Sequence, residues 1–177
     1  IEKAKAAANR RLSRFDSLLE SCSIRMEDPK ILESDQITLL FRTYENNPRD
    51  GTVLIKPFLL IYLPDDPDMT EEERIIAATV LEARNGATLA FDAPFDLSRG
   101  KVGQIVGGTL KGDVTISGNG KLPGPEDDLR IRARNIELTE DSIISRERVA
   151  FRYGPHRGEG SQMTIRLRKQ TCDTESH

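Results

Sequence analysis

Short stretches in which apolar and charged residues alternate are the feature that most constrains the fold of this chain. Residues 129–134 read Leu-Arg-Ile-Arg-Ala-Arg, and residues 148–153 and 163–168 follow a similar pattern. Successive side chains of a β-strand point to opposite faces, so the pattern predicts strands with one buried and one solvated face. Several such strands divided by Gly- and Pro-containing turns predict an antiparallel all-β domain, a sandwich or jellyroll.

The alternation changes phase after the first of these stretches. Ile136 and Leu138 are apolar on the parity opposite to that of the preceding apolar residues. One strand can keep both sets on the same face only if an extra residue or a sharp turn intervenes. The sequence therefore predicts a bulge or turn near Arg134 and Asn135.

Two more strand candidates precede these stretches. Residues 37–44 are β-like, and residues 52–63 form a long candidate with Pro57 at a bulge or edge position. The intervening residues 45–51 contain Asn-Pro and Asp-Gly, which are typical of turns. A turn therefore separates the two strand candidates.

Residues 70–84 carry conflicting signals. Thr70 and Glu73 have the spacing of a capping box, which favours a helix. The β-branched residues that follow permit a strand, and the Asn85-Gly86 dipeptide favours a hairpin turn, which needs a strand before it. We predict a strand over residues 75–84.

The beginning of the chain predicts an amphipathic helix over residues 1–20. Its apolar residues recur at three- and four-residue steps, at Ala4, Ala8, Leu12, Phe15 and Leu19. The same segment is basic, which fits either a position close to an anionic membrane surface or an ordinary docked helix with a solvated basic face. We expect a helical arm over residues 1–22, a β domain over residues 23–170 and a flexible tail over residues 171–177. Because the sequence starts at Ile1, we expect a signal peptide, an anchor or a tag upstream.

Composition and the absence of motifs argue against several functions. The net charge of −3 and the lack of Trp disfavour nucleic-acid binding, while 37% hydrophobic residues suffice for a core. The longest apolar run, residues 57–64, is far shorter than the ~18 residues of a membrane-spanning helix. No G-x-S-x-G motif occurs, and His156 lies in a turn, so we predict no enzyme, no cofactor and no metal site. Cys22 and Cys172 are either two free thiols or one disulfide.

Three arginines share one face of the predicted strand 129–134. Arg130, Arg132 and Arg134 belong either to the wet face of an amphipathic sheet or to an anion-facing strip that contacts phosphorylated head groups or a partner. The sequence leaves both interpretations open.

The order of these patterns resembles the periplasmic β-jellyroll family of lipopolysaccharide export, the LptC/LptA/OstA-like proteins. Residues 110–116 (Leu-Lys-Gly-Asp-Val-Thr-Ile) resemble the family's recurring L-x-G-x-V-x-I strand. The other segments that carry the resemblance are residues 83–87, 129–138, 143–151 and 158–163. About half of the chain is covered well and another quarter weakly.

The resemblance implies a V-shaped, partly open β-jellyroll that carries lipopolysaccharide or another lipid in an apolar groove. It also implies a periplasmic or cell-envelope location, an anchor upstream of Ile1, a role in outer-membrane biogenesis, and docking of other β-jellyroll transport proteins onto edge strands 37–44 and 161–168. Under this hypothesis the lipid-binding residues are Ile37, Leu39, Phe41, Leu60, Val114, Ile116, Leu129, Ile131, Val149, Phe151, Met163 and Ile165. The alternative is a ligand-free β-sandwich that serves as an interaction or scaffold module of the cell envelope.

Overall fold

The computed structural model describes residues 2–99, 102–120 and 124–166, without the side chains of residues 2–6, 8 and 99. The fold is mostly antiparallel β-sheet, as the alternating patterns predict, and the sheet is nearly closed, like a barrel. The helices are α1 (Glu2–Ser13), α2 (Asp16–Ser21) and α3 (Glu71–Ile76). The strands are β1 (Lys30–Glu33), β2 (Ile37–Phe41), β3 (Thr43–Asn47), β4 (Thr52–Lys56), β5 (Phe58–Tyr62), β6 (Thr79–Ala83), β7 (Ala87–Phe91), β8 (Ile105–Gly118), β9 (Leu129–Thr139), β10 (Ser142–Ser145), β11 (Val149–Tyr153), β12 (His156–Gly160) and β13 (Met163–Arg166).

The strand pairings divide the antiparallel sheet into two sets of neighbouring strands. One set of neighbours runs β1-β2-β5-β6, then the second part of β8, the first part of β9, β11 and β12. We call this set half A. The other set runs β3-β4-β7, then the first part of β8, the second part of β9, β10 and β13, and we call it half B. β8 and β9 belong to both halves and join them.

The bend in the β8–β9 pair lies where the sequence changes phase. Gly112 and Asn135 have φ angles of 76° and 50°, and the pairing register shifts between Leu110 and Asp113. The backbone N–H of Gly112 donates a hydrogen bond of 2.9 Å to the Asn135 side-chain oxygen, and the Asn135 amide donates one of 2.6 Å to Glu147. The predicted irregularity near residues 134–135 is therefore confirmed, and the Asn135 side chain holds it in place.

The main core lies between the two halves. Phe41 and Phe58 of half A and Ile55, Leu89 and Leu110 of half B are fully buried there. Burying each of these side chains contributes roughly 1.5–3 kcal/mol, so the contact between the halves is a major source of stability. The alternating residues of the strands supply the apolar side of this core.

A second core covers the outer face of half A. Leu40, Leu59 and Ile61 point away from the main core and pack with Phe15 and Leu18. β5 is consequently buried on both faces, which explains its nearly continuous run of apolar residues. Where the sequence predicts a single helix over residues 1–20, the structure has α1 and α2, separated by a break next to Phe15.

A buried carboxylate anchors the segment that follows α2. Glu82 on β6 is only 5% exposed, and its Oε1 accepts hydrogen bonds from the backbone N–H groups of Ser23 and Ile24 at 2.8 and 3.0 Å. The Ser23 hydroxyl donates a third at 3.2 Å.

Nearby, Cys22 is a buried free thiol. Burial, and to a lesser degree the charge of Glu82, raises the pKa of the Cys22 thiol to about 11. Cys172 lies outside the described residues.

The prediction of a strand over residues 75–84 is wrong for its first part. Residues 71–76 form α3, and Thr70 and Glu73 make the reciprocal hydrogen bonds of a capping box. The strand begins only at Thr79. The local helix signal prevails at this surface position because α3 has no buried residue, whereas the residues after it pair with β5 and β8.

Glycine is required at the bend between β6 and β7, which is not the predicted hairpin, because both strands pair with β8 and not with each other. Gly86 has a φ of 87°, and a Cβ there would collide with the backbone oxygen of Ile55. Gly51 also has a positive φ, of 70°, but its Cβ would meet nothing within 4 Å.

We expect Gly51→Ala to lower the free energy of unfolding by about 1 kcal/mol through backbone strain alone. Gly86→Ala should lower it by about 3 kcal/mol, because the collision adds to the strain. Chemical denaturation measures both; equal losses would show that the turn is not packed as described.

The anchoring role of Glu82 is tested through the reactivity of Cys22. In a Cys172→Ser background, the Cys22 thiol should react slowly with a thiol reagent at pH 8, because it is buried and protonated. Glu82→Ala should raise that rate at least tenfold, because it frees residues 22–24 and removes a charge that raises the pKa. Glu45→Ala, at an exposed position of β3, is the matched control and should leave the rate unchanged. Fast labelling of Cys22 in the Cys172→Ser protein that retains Glu82 would contradict this arrangement.

Candidate functional site: an apolar groove at the last strands

The main core is filled more completely beside the early strands than beside the late ones. At the early end, Phe95 packs against Tyr44 and Phe91, with ring centroids 5.3 and 5.1 Å apart, and is only 9% exposed. The loop that carries Phe95 is held by hydrogen bonds between Asp92 and Gln104. Aromatic rings thus cover this part of the core.

A groove opens beside the late strands. It has a volume of about 420 Å³, within the range of roughly 300–1,000 Å³ that is typical of small-molecule sites. The strands that form it are the first part of β9, β11 and β13, together with the turn before β13. Its lining residues are Leu129, Ile131, Val149, Phe151, Gly160, Gln162, Met163, Thr164 and Ile165. Most of them are aliphatic or aromatic, so the groove suits a hydrocarbon better than a polar ligand.

The register of three strands produces the wall of this groove. Ile131 pairs with Phe151, and Phe151 pairs with Gly158 on β12. A Cβ at Gly158 would lie 2.5 Å from carbon atoms of the Phe151 ring, so the ring lies across a position that has no side chain. Phe151 remains 44% exposed, which leaves an aromatic surface at the rim of the groove.

The structure brings six of the residues predicted to bind lipid into this groove. They are Leu129, Ile131, Val149, Phe151, Met163 and Ile165. The other six do not line it. Leu39, Phe41, Val114 and Ile116 are buried in the main core, Leu60 packs against that core, and Ile37 is half-buried on β2.

The arginines predicted to contact head groups lie on the outer face of the sheet. Because adjacent residues of a strand point to opposite faces, Arg130 and Arg132 project away from the side that carries Leu129 and Ile131. Arg134 forms an exposed ion pair of 3.1 Å with Asp113. Their predicted role in binding head groups or partners stays a prediction.

Arg130 and Arg132 line a second cleft, of about 580 Å³, on that outer face. Arg152 and Arg157 line it too, together with Glu159. Arg157 is not among the residues predicted from the sequence to form a site. The Gly154-Pro155 turn between β11 and β12 is the sequence signal that could have identified it, because a tight hairpin there pairs Arg152 with Arg157.

No catalytic arrangement is evident in the described part of the chain. His156 is exposed at the start of β12, and residues 2–99, 102–120 and 124–166 hold no group of three or more His, Cys, Asp or Glu side chains placed to bind a metal. In the same residues, no helix has the length and apolar character needed to cross a membrane.

The edges of the sheet differ from the predicted docking edges. β1 pairs with β2, so the segment 37–41 is covered, and only its continuation β3 lies at an edge. Among the described strands, β12 pairs only with β11 and β13 only with β10, which leaves an edge beside the groove. Residues 167–168 of the predicted last strand lie outside the described residues.

Comparison with models of known protein families, with curated proteins and with solved structures gives no match to this chain.

Proposed function

We propose that this protein is a non-enzymatic lipid carrier or bridge component of envelope transport, which holds acyl chains in the apolar groove. The observation that carries the proposal is the groove itself, which is open to solvent at Phe151 and lined by aliphatic side chains of three strands. A carrier needs such a surface and needs no catalytic group. The lipid class suggested by the sequence resemblance is lipopolysaccharide or a related amphiphile.

The proposed form of the fold is a V-shaped, partly open jellyroll. The bend of the β8–β9 pair supports this form, because the two halves joined there enclose a filled core at β2–β8 and a groove at β9–β13. Lipid would enter where the late strands leave the main core accessible. The predicted location in the periplasm or cell envelope is part of the same proposal.

The energetics favour a single hydrocarbon chain as the occupant. Each buried methylene contributes about 0.8 kcal/mol, so a chain of about a dozen carbons could gain on the order of 10 kcal/mol before ordering costs. Part of that gain is offset because Met163 and Ile165 are already partly buried against the main core. A net affinity in the micromolar range is therefore expected.

Edge-strand pairing is the proposed mode of docking to neighbouring β-jellyroll proteins. An exposed edge presents backbone N–H and C=O groups that another strand can bind. The edge at β12 and β13 adjoins the groove, so a strand added there would lengthen the apolar surface along which lipid moves. At the other side of the sheet, β3 supplies the corresponding edge.

A charge placed in the groove should abolish lipid binding. We expect Ile165→Asp to weaken binding of a fluorescent fatty acid at least tenfold, because an unpaired carboxylate would have to be buried beside the chain. Leu54→Asp is the matched control, since Leu54 is an exposed aliphatic residue of β4 outside the groove. Fluorescence titration gives the affinities, and circular dichroism shows that both variants are folded.

Two results would contradict the proposal. Equal binding by the two variants would place the lipid elsewhere. A folded parent protein that binds no fatty acid, and retains no lipid in native mass spectrometry after mild extraction, would instead fit a ligand-free interaction module.

A further inference from the structure

We propose that the outer cleft of half A is a second binding site, separate from the groove, for an anion that carries two or more phosphate groups. The residues that would hold the anion are Arg130, Arg132, Arg152 and Arg157. This inference does not depend on lipid carriage, because the four arginines lie on the opposite face of the sheet; only the exposed Phe151 borders both sites.

Strand register aligns three of these arginines in one row. Arg130 on β9 pairs with Arg152 on β11, and Arg152 pairs with Arg157 on β12. Residues directly opposite each other on antiparallel strands have Cβ atoms about 5 Å apart on the same face. Arg132 lies two residues from Arg130 and therefore on that face as well. Four guanidinium groups thus border one cleft of about 580 Å³.

None of these four guanidinium groups is paired with a carboxylate within the part of the chain that the structure describes. Within residues 2–99, 102–120 and 124–166, no ion pair or side-chain hydrogen bond joins them to a carboxylate. Glu159 lines the cleft, but it pairs with Arg148. The neighbouring Arg134 and Arg146, by contrast, are paired with Asp113 and Glu137.

An uncompensated row of like charges is unfavourable for an isolated sheet. Like charges directly opposite each other on neighbouring strands destabilise the pairing. The chain as a whole carries a net charge of −3, so the arginines are a local concentration and not part of a generally basic protein. A bound polyanion would remove the repulsion and complement the positive cleft.

The geometry of the arginines indicates phosphate as the anionic group. A guanidinium is a planar fork of donors that binds two oxygens of a phosphate at once, and several forks around one cleft suit a ligand with more than one such group. On β8, Ser117 lies opposite Arg130 and therefore on the same face of the sheet as the arginine row. A diphosphate therefore matches the site better than a single carboxylate does.

Inorganic pyrophosphate is the probe that tests this site. Isothermal titration of the full chain should show saturable binding, and Arg152→Gln should weaken it about tenfold or more, since it removes the central charge of the row. Arg49→Gln, in the exposed turn after β3, is the matched control and should bind like the parent. At low ionic strength without the probe, Arg152→Gln should be at least as thermostable as the parent, because a repulsion is relieved.

A second arm identifies the source of the phosphate groups. Phosphatidylcholine vesicles with and without phosphatidylinositol 4-phosphate, whose head group carries two phosphate groups, are sedimented with the protein in the presence and absence of pyrophosphate. Binding to the anionic vesicles that pyrophosphate displaces would identify a lipid head group, whereas pyrophosphate binding without vesicle binding would identify a soluble ligand. The proposal is overturned if neither probe binds, or if Arg49→Gln loses as much affinity as Arg152→Gln. Neither result would bear on fatty-acid binding in the groove.

Discussion

The contact between the two halves of one folded sheet is the interaction on which the rest of this structure depends. β8 and β9 contribute to both halves, so the apolar side chains of half A and half B can bury one another only because this pair of strands bends. Asn135 shows how this is achieved locally, since its side chain bonds the opposing backbone at Gly112. The core, the groove and the outer cleft all follow from that arrangement.

The same strands perform different tasks on their two faces. On β9 and β11, Ile131 and Val149 face inward toward the main core and the groove, while Arg130 and Arg152 face outward. At the early strands the outer face is apolar instead, because the segment with Phe15 and Leu18 covers it. The first strands of half A are therefore buried on both sides, whereas β9 and β11 are exposed on their outer side and face the main core and the groove on their inner side. Binding surfaces are expected where the covering layers end.

The sequence was sufficient for the class of fold and for some local irregularities. Strict alternation identified the late strands, and the change of phase located the bend near Asn135. Alternation also selected the residues of the inner face, six of which line the groove. The alternating pattern could not show which inward-facing residues are shielded from solvent. That shielding depends on the loop of Phe95, which packs against Tyr44, a residue distant in the sequence. Phe41 and Val114 have the same pattern as Ile131 and yet lie in the filled part of the core.

Other features depend on contacts that no local pattern encodes. Residues 71–76 form a helix because the capping box at Thr70 is not opposed by tertiary packing. β1 pairs with β2 and occupies its edge, so residues 37–41 are not the docking edge that the sequence predicts. Arg157 joins the outer cleft only because the β11–β12 hairpin aligns it with Arg152. Long-range register is thus what the sequence patterns leave open.

Hydrogen–deuterium exchange with and without palmitate tests whether the core is filled at the early strands and open at the late ones. Palmitate should slow amide exchange in the first part of β9, in β11 and in β13, and should leave exchange in β2, β4 and β5 unchanged. Added protection confined to the early strands, or no added protection at saturating palmitate, would contradict this description of the core.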